Sequence, residues 1–230
     1  MPRILKSLYV QVLIAILTGV LLGHFYPQFS VQLKPLGDGF IKLVKMMIAP
    51  VIFCTIVTGI AGMQNTKKVG SVGLKAIIYF EVVTTLALVV GLLVINIVKP
   101  GAGMNVNPEA LDAKAVEQYT LQAHAQNGKD FILDIIPENI ISAFAHNHLL
   151  QVLLFSLLMG FALSKIKEKA APLLKGIQSL EDGLFAIIHM IMKLAPVGAL
   201  GAMAFTVGKY GIGLLGPLAN LMLCFYITCI

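Results

Sequence analysis

Apolar positions along this chain come in long blocks, broken by short polar, glycine- or proline-bearing segments. Leu8–Tyr26, Phe40–Met63, Ala76–Val98 and Leu184–Val207 are the longest. A hydrocarbon core of about 30 Å is crossed by a helix of about 20 apolar residues, so these blocks predict membrane spans rather than strands or ordinary core helices. The first span stops at Gly23-His24-Phe25-Tyr26-Pro27, and the second runs roughly 39–63 with Pro50 at its middle. QNTKKVGSVGLK reads as a loop, and the third span runs roughly 76–98. The one long polar stretch, Pro100 to Lys129, holds Glu109, Asp112, Lys114 and Glu117 behind the turn-prone PGAG. From Phe131 to Ser164 the pattern is apolar but interrupted by Asp134, Pro137, Asn139, His146 and His148, which predicts a helix in pieces. A fifth span, roughly 180–207, contains Lys193 and Pro196, and a sixth apolar run follows Lys209-Tyr210-Gly211 and continues to Ile230.

The expected class is therefore an all-α membrane protein. Its segments are 1–75 (spans one and two), 76–98 (span three), 99–130 (a loop), 131–207 (a broken span four and span five) and 211–230 (span six). Ile230 stands inside an apolar run with no polar exit, so the sequence reads as truncated within that span. The first block exceeds the length of a secretory signal's apolar region and lacks a small-residue cleavage site, so it is expected to stay as a span.

Composition agrees with the pattern. The chain has 230 residues, of which 58% are hydrophobic and 12% charged, and the mean hydropathy is +0.89. Soluble domains carry about twice that charged fraction. The net charge of +6 is explained by topology, because the lysines sit mostly in short loops and no basic run is interleaved with aromatics. A nucleic-acid partner is not expected. With a cytoplasmic N-terminus, the inside segments hold nine basic residues (Arg3, Lys6, Lys67, Lys68, Lys75, Lys165, Lys167, Lys169 and Lys175) and the outside segments five (Lys34, Lys99, Lys114, Lys129 and Lys209). That orientation is the one favoured by the positive-inside rule.

Candidate chemistry centres on the third span. Glu81 lies about six residues into it, and an intramembrane carboxylate costs enough that it usually faces protein or an aqueous cavity. Thr84 and Thr85 follow at the spacings that share a helix face with Glu81, and Tyr79 adds another hydroxyl. Such oxygens suit a cation or proton site. The alternative places Glu81 at the cytoplasmic end, solvated, with the threonines bonded back to their own helix. Lys42 and Lys45 are expected to snorkel to the outer surface, and Lys193, deeper and beside Pro196, to snorkel or contact lipid rather than bind substrate. Pro50, Pro137 and Pro196 are expected to break or kink helices. The five histidines are scattered, and His146 and His148, two residues apart, are poorly spaced for a helical metal site. Cys54, Cys224 and Cys229 read as buried thiols without a disulfide or zinc. No phosphate-binding loop, HExxH or GxSxG occurs, so no enzyme activity, cofactor or resident metal is expected.

Four runs carry a resemblance. KPLGDGFIKLVKMMIAPVIFCTIVTGIAG (34–62), GLKAIIYFEVVTTLALVVGLLVINIVKPGAGMN (73–105), DIIPENIISAFAHNHLLQVLLFSLLMGFAL (134–163) and KLAPVGALGAMAF (193–205) resemble, in order, spans two to five of the dicarboxylate/amino acid:cation symporters. That family includes the glutamate transporters. The details LGDGF, YFEVVTT, VKPGAGMNV and NPEALDAKAV are most similar to its bacterial members that carry C4-dicarboxylates. The resemblance implies the first six segments of a glutamate-transporter-like fold, in a homotrimer of the bacterial inner membrane. Spans one, two, four and five would form a fixed scaffold, and spans three and six would belong to a mobile unit that slides as an elevator. It also implies import of succinate, fumarate or malate with protons or sodium ions. An acidic amino acid:cation symporter has the same architecture. A reading of another class is a trimeric membrane scaffold that does not transport. The family's serine-rich hairpin tip and NMDGT-like break do not occur in these residues, so no substrate-binding residue is carried over. Tyr79, Thr84 and Thr85 match positions that lend oxygens to a cation site, while Val83 stands where sodium-coupled relatives can have a threonine. Glu81 beside it points to proton coupling.

Overall fold

The computed structural model describes residues 7–62, 66–100 and 133–229, and every regular element among them is helical. In lipid each backbone N–H and C=O must find its partner inside the protein, and a helix supplies those bonds within one segment. The helices are α1 (Leu8–Phe25), α2 (Pro27–Val31), α3 (Lys34–Ala61), α4 (Thr66–Val98), α5 (Ile140–Ala145), α6 (Leu149–Ile166), α7 (Ala171–Met192), α8 (Ala195–Tyr210) and α9 (Leu215–Cys229). Among the described residues, five stretches are long and apolar enough to cross a membrane: Leu8–Phe25, Pro27–Ala61, Lys75–Val98, Leu149–Ile166 and Ile212–Cys229. Counting α7 and α8 as one bent span gives a sixth. The all-helical class read from the pattern is the one observed.

Three details differ from the pattern or sharpen it. The segment read as a loop before the third span is helical from Thr66, so α4 runs for 33 residues. A helix that long rises about 50 Å and outreaches the hydrocarbon core. The fifth span is not straight: α7 and α8 meet at a 48° bend across Lys193 and Leu194. Pro196 falls in the first turn of α8. There its missing N–H is harmless, whereas inside a continuous helix its ring would clash with the Met192 carbonyl. Pro50, by contrast, lies within the unbroken α3. The fourth span divides into α5 and α6 at His146-Asn147-His148, where Asn147 adopts φ 54°, a left-handed conformation that asparagine tolerates. Asn139 caps α5 by accepting from the Ile141 N–H at 2.9 Å. Most of the expected 99–130 loop lies outside the described residues.

The chain divides into two compact units. The first takes in 1–47, 70–104 and 185–230, and the second 48–69 and 105–184. In the first unit, α1 runs along α8 through small residues. Ala15, Gly19 and Gly23 are buried on α1, and Gly198, Gly201 and Ala204 on α8. A β-carbon at Gly19 would stand 2.8 Å from the Leu200 carbonyl oxygen, and one at Gly23 2.6 Å from Val207 Cβ. The chain after α1 then folds back on α8. A β-carbon at Gly201 would meet Leu36 Cβ at 2.7 Å, and one at Gly198 would meet Phe40 Cβ at 2.6 Å. Lipid tails are as apolar as leucine, so membrane helices associate through such backbone approach rather than through water exclusion. Ser30 of α2 is fully buried against Gly208, and its hydroxyl has no hydrogen-bond partner among the described residues.

The second unit packs around aromatics. Ala49, Ala143 and Val152 form its core with Ile52, Phe53 and Phe144. The Phe53 ring stacks on Phe155 at 5.7 Å and meets Phe144 edge-on at 5.6 Å. Gly160 accommodates Ile60, whose Cβ would be 2.9 Å from an added β-carbon.

Gly23→Leu is expected to destabilise the purified chain by about 1–3 kcal/mol, since the α1/α8 approach leaves no room for a side chain. A lowered thermal midpoint by circular dichroism in detergent checks this. Ser30→Ala, which removes an unpaired buried hydroxyl, is expected to hold or raise the midpoint.

Candidate functional site

The four residues singled out in the third span all lie on α4, and the structure separates them into two faces. Glu81, Thr84 and Thr85 share one face by helical spacing. Tyr79 is turned roughly 160° from Glu81 about the axis, with its ring edge-on to Phe80 at 5.8 Å. One ion held by this helix alone therefore contacts the Glu81 face or Tyr79, not both. No residue of Lys75–Val98 is buried within the described structure, so α4 presents all its sides to surroundings other than these residues. At Gly91 an added β-carbon would lie 3.6 Å from the Thr228 methyl of α9, an ordinary van der Waals contact. The Glu81 carboxylate and the two threonine hydroxyls form no hydrogen bond or ion pair among the described residues. A carboxylate and two hydroxyls on one helix face are oxygens of the kind that cations and protons take.

A second polar arrangement escaped the sequence reading. In the second unit Thr58 of α3 reaches the half-buried Glu181 of α7, with Oγ1 to Oε2 at 3.0 Å. The same hydroxyl lies 2.8 Å from the Cys54 carbonyl and 3.2 Å from that of Thr55. A hydroxyl has one proton and two lone pairs. Its one proton therefore goes to the Glu181 carboxylate or to one of these carbonyls at a time. Its signal in the sequence was an acid next to the apolar run LFAIIHMIM, but nothing local linked it to a threonine 123 residues earlier.

The remaining candidates are placed as follows. Lys42, Lys45 and Lys193 are exposed, with Lys193 in the turn between α7 and α8. His146 Nδ1 stays local, 3.0 Å from the Ser142 carbonyl, and the His146 and His148 rings are 5.8 Å apart. Among the described residues no group of three His, Cys, Asp or Glu could hold a metal ion. All three cysteines are free. Cys54 and Cys224 are buried as expected, but Cys229, the last residue of α9, is exposed.

Several helices of membrane-crossing length define a multi-pass membrane protein. The chain belongs to the sodium:dicarboxylate symporter family, whose model matches residues 8–230. It is 59% identical over 228 residues to a C4-dicarboxylate transport protein of Laribacter hongkongensis (strain HLHK9), covering 99% of this chain and 52% of that protein. It is also 59% identical over 227 residues to a C4-dicarboxylate transport protein of Yersinia enterocolitica, covering 99% of this chain and 53% of that one. The chain spans about half the length of these curated relatives. The family and the relatives' names are those of transporters, not enzymes.

Thr58→Val removes the partner of Glu181 and is expected to cost about 1–3 kcal/mol. Adding Glu181→Leu is expected to restore part of that loss, because an apolar pair leaves no polar group unpaired. Thermal midpoints of the two single variants and the double variant check this.

Proposed function

We propose that this chain forms the first half of a secondary active symporter that imports C4-dicarboxylates, such as succinate, fumarate or malate, with protons or sodium ions. The supporting observation is the 59% identity, along 99% of the chain, to proteins named for C4-dicarboxylate transport. It favours dicarboxylates over acidic amino acids. The family resemblance further supports a homotrimer in a bacterial inner membrane, with the N-terminus cytoplasmic as the lysine distribution favours.

An elevator-type movement is supported by the contrast between helices. α1 and α8 interlock backbone to backbone, as scaffold helices would. α4 has no buried residue over Lys75–Val98, as suits a helix whose partners belong to a separate moving unit. On this reading Glu81, Thr84 and Thr85 face those partners and complete the coupling site there, with Glu81 carrying the proton. Tyr79, on the opposite face, serves a different contact.

Two outcomes test this. Residues 1–230, joined to the second half of the Laribacter hongkongensis relative, are expected to take up labelled succinate in cells, while the 230-residue chain alone is not. A chimera that inserts but carries no dicarboxylate would refute the transport reading. In an active chimera, Glu81→Gln is expected to flatten the rise of uptake as external pH falls. An unaltered pH profile rejects Glu81 as the proton carrier and leaves the family reading intact.

A further inference from the structure

The break between α5 and α6 at His146-Asn147-His148 has a defined hydrogen-bond pattern. The His148 N–H donates to the Ala143 carbonyl at 3.0 Å, and the Asn147 N–H to the Phe144 carbonyl at 3.3 Å. With Asn147 at φ 54°, this is a Schellman termination of α5, in which the left-handed residue turns the chain while the last carbonyls stay paired. The His148 carbonyl accepts from the Val152 N–H at 3.0 Å, so the same residue opens α6. Both imidazoles are thus carried on backbone that is held on each side. On a continuous helix, residues two apart diverge by about 200° around the axis. Flanking this turn they come together, with ring centroids 5.8 Å apart and 30° between the planes. Both side chains are exposed among the described residues.

The hydrogen bonds also fix what the His146 ring offers. Its Nδ1 lies 3.0 Å from the Ser142 carbonyl oxygen and 3.3 Å from the Ser142 hydroxyl. A carbonyl only accepts, so this contact puts the proton on Nδ1 and leaves Nε2 its lone pair. Metal-binding histidines are commonly oriented in this way, by a backbone carbonyl on the other ring nitrogen. The His148 ring has no hydrogen-bond partner among the described residues. Two imidazoles on one tetrahedral ion, with metal–nitrogen bonds of about 2.0 Å, hold their centroids about 5 Å apart. Exposed rings reach that separation from 5.8 Å by a small side-chain rotation.

We propose that His146 and His148 bind one divalent transition-metal ion of the zinc class, through Nε2 of His146 and a ring nitrogen of His148. Neutral imidazole nitrogen suits Zn2+, Cu2+ and Ni2+, whereas Ca2+ and Mg2+ take oxygen ligands. No third His, Cys, Asp or Glu joins the pair among the described residues, so water fills the remaining positions and the ion exchanges. One ligand ends α5 and the other opens α6, so the bound ion clamps the break in the fourth span. The proposal rests on the geometry of this turn and is independent of what the protein carries.

Calorimetric titration of the purified chain with Zn2+, after removal of any histidine tag, tests it. One ion per chain is expected. Its affinity is expected to fall at least about tenfold in His146→Gln and in His148→Gln, and to be unchanged in the control His24→Gln/His189→Gln. Zn2+ is expected to raise the thermal midpoint of the unmodified chain by more than that of either single variant. Loaded with Cu2+, the unmodified chain is expected to give an electron paramagnetic resonance spectrum split by two imidazole nitrogens, a readout that needs no variant. Full-affinity binding in either single variant, a Cu2+ spectrum with one imidazole nitrogen, or no zinc binding at millimolar concentration overturns the proposal.

Discussion

The first unit is held by backbone contact between helices at positions that lack a side chain. Within lipid no water is released when apolar faces meet, and attraction between helices falls to dispersion and shape. Both grow steeply as axes approach, and approach is limited by β-carbons. Gly19 and Gly23 of α1 remove that limit toward Leu200, Ala204 and Val207 of α8, and Gly198 and Gly201 of α8 remove it toward Phe40 and Leu36 of α3. Because α1 packs on Leu200, Ala204 and Val207 and the start of α3 on Gly198, Gly201 and Ala202, one helix organises the others. The bend at Lys193 and Leu194 is what allows α8 to take that position while α7 continues on its own axis.

The second unit reaches cohesion by another route. Phe53, Phe144 and Phe155 bring large surfaces together around Ala49, Ala143 and Val152. Thr58 and Glu181 add a hydrogen bond across two helices whose polar atoms would otherwise be costly in an apolar setting. These contacts all serve to fix helices against each other. α4 and α9 are the exceptions: among the described residues, none of Lys75–Val98 is buried and of α9 only Cys224 is. In one chain, then, some helices are committed to neighbours and others are not.

Much of this was legible in the order of residues. The length of the apolar blocks forced helices, since a strand or loop would leave backbone groups unpaired in lipid. The break of the fourth span followed from Pro137, Asn139 and the histidines, and the discontinuity near Pro196 from proline's missing donor. Glu81, Thr84 and Thr85 could be placed together because i+3 and i+4 spacing is a property of one helix. The same rule turns Tyr79 away. The start of α4 at Thr66 was not visible, because a helix that leaves the membrane shows no change of backbone, only of side chains.

By itself, the sequence determined what lies within one segment: which stretches are helical and span-length, where they break, and which side chains share a face. Those follow from local geometry and from the cost of unpaired backbone in lipid. The tertiary structure alone decided which segments touch. GxxxG spacing at Gly19 and Gly23 permits close approach but does not name α8 as the partner. Nothing near Glu181 points to Thr58, and nothing near Gly198 points to Phe40. Such pairings depend on the register of helices distant along the chain, and register is set by the sum of many small packing contacts that no single segment contains.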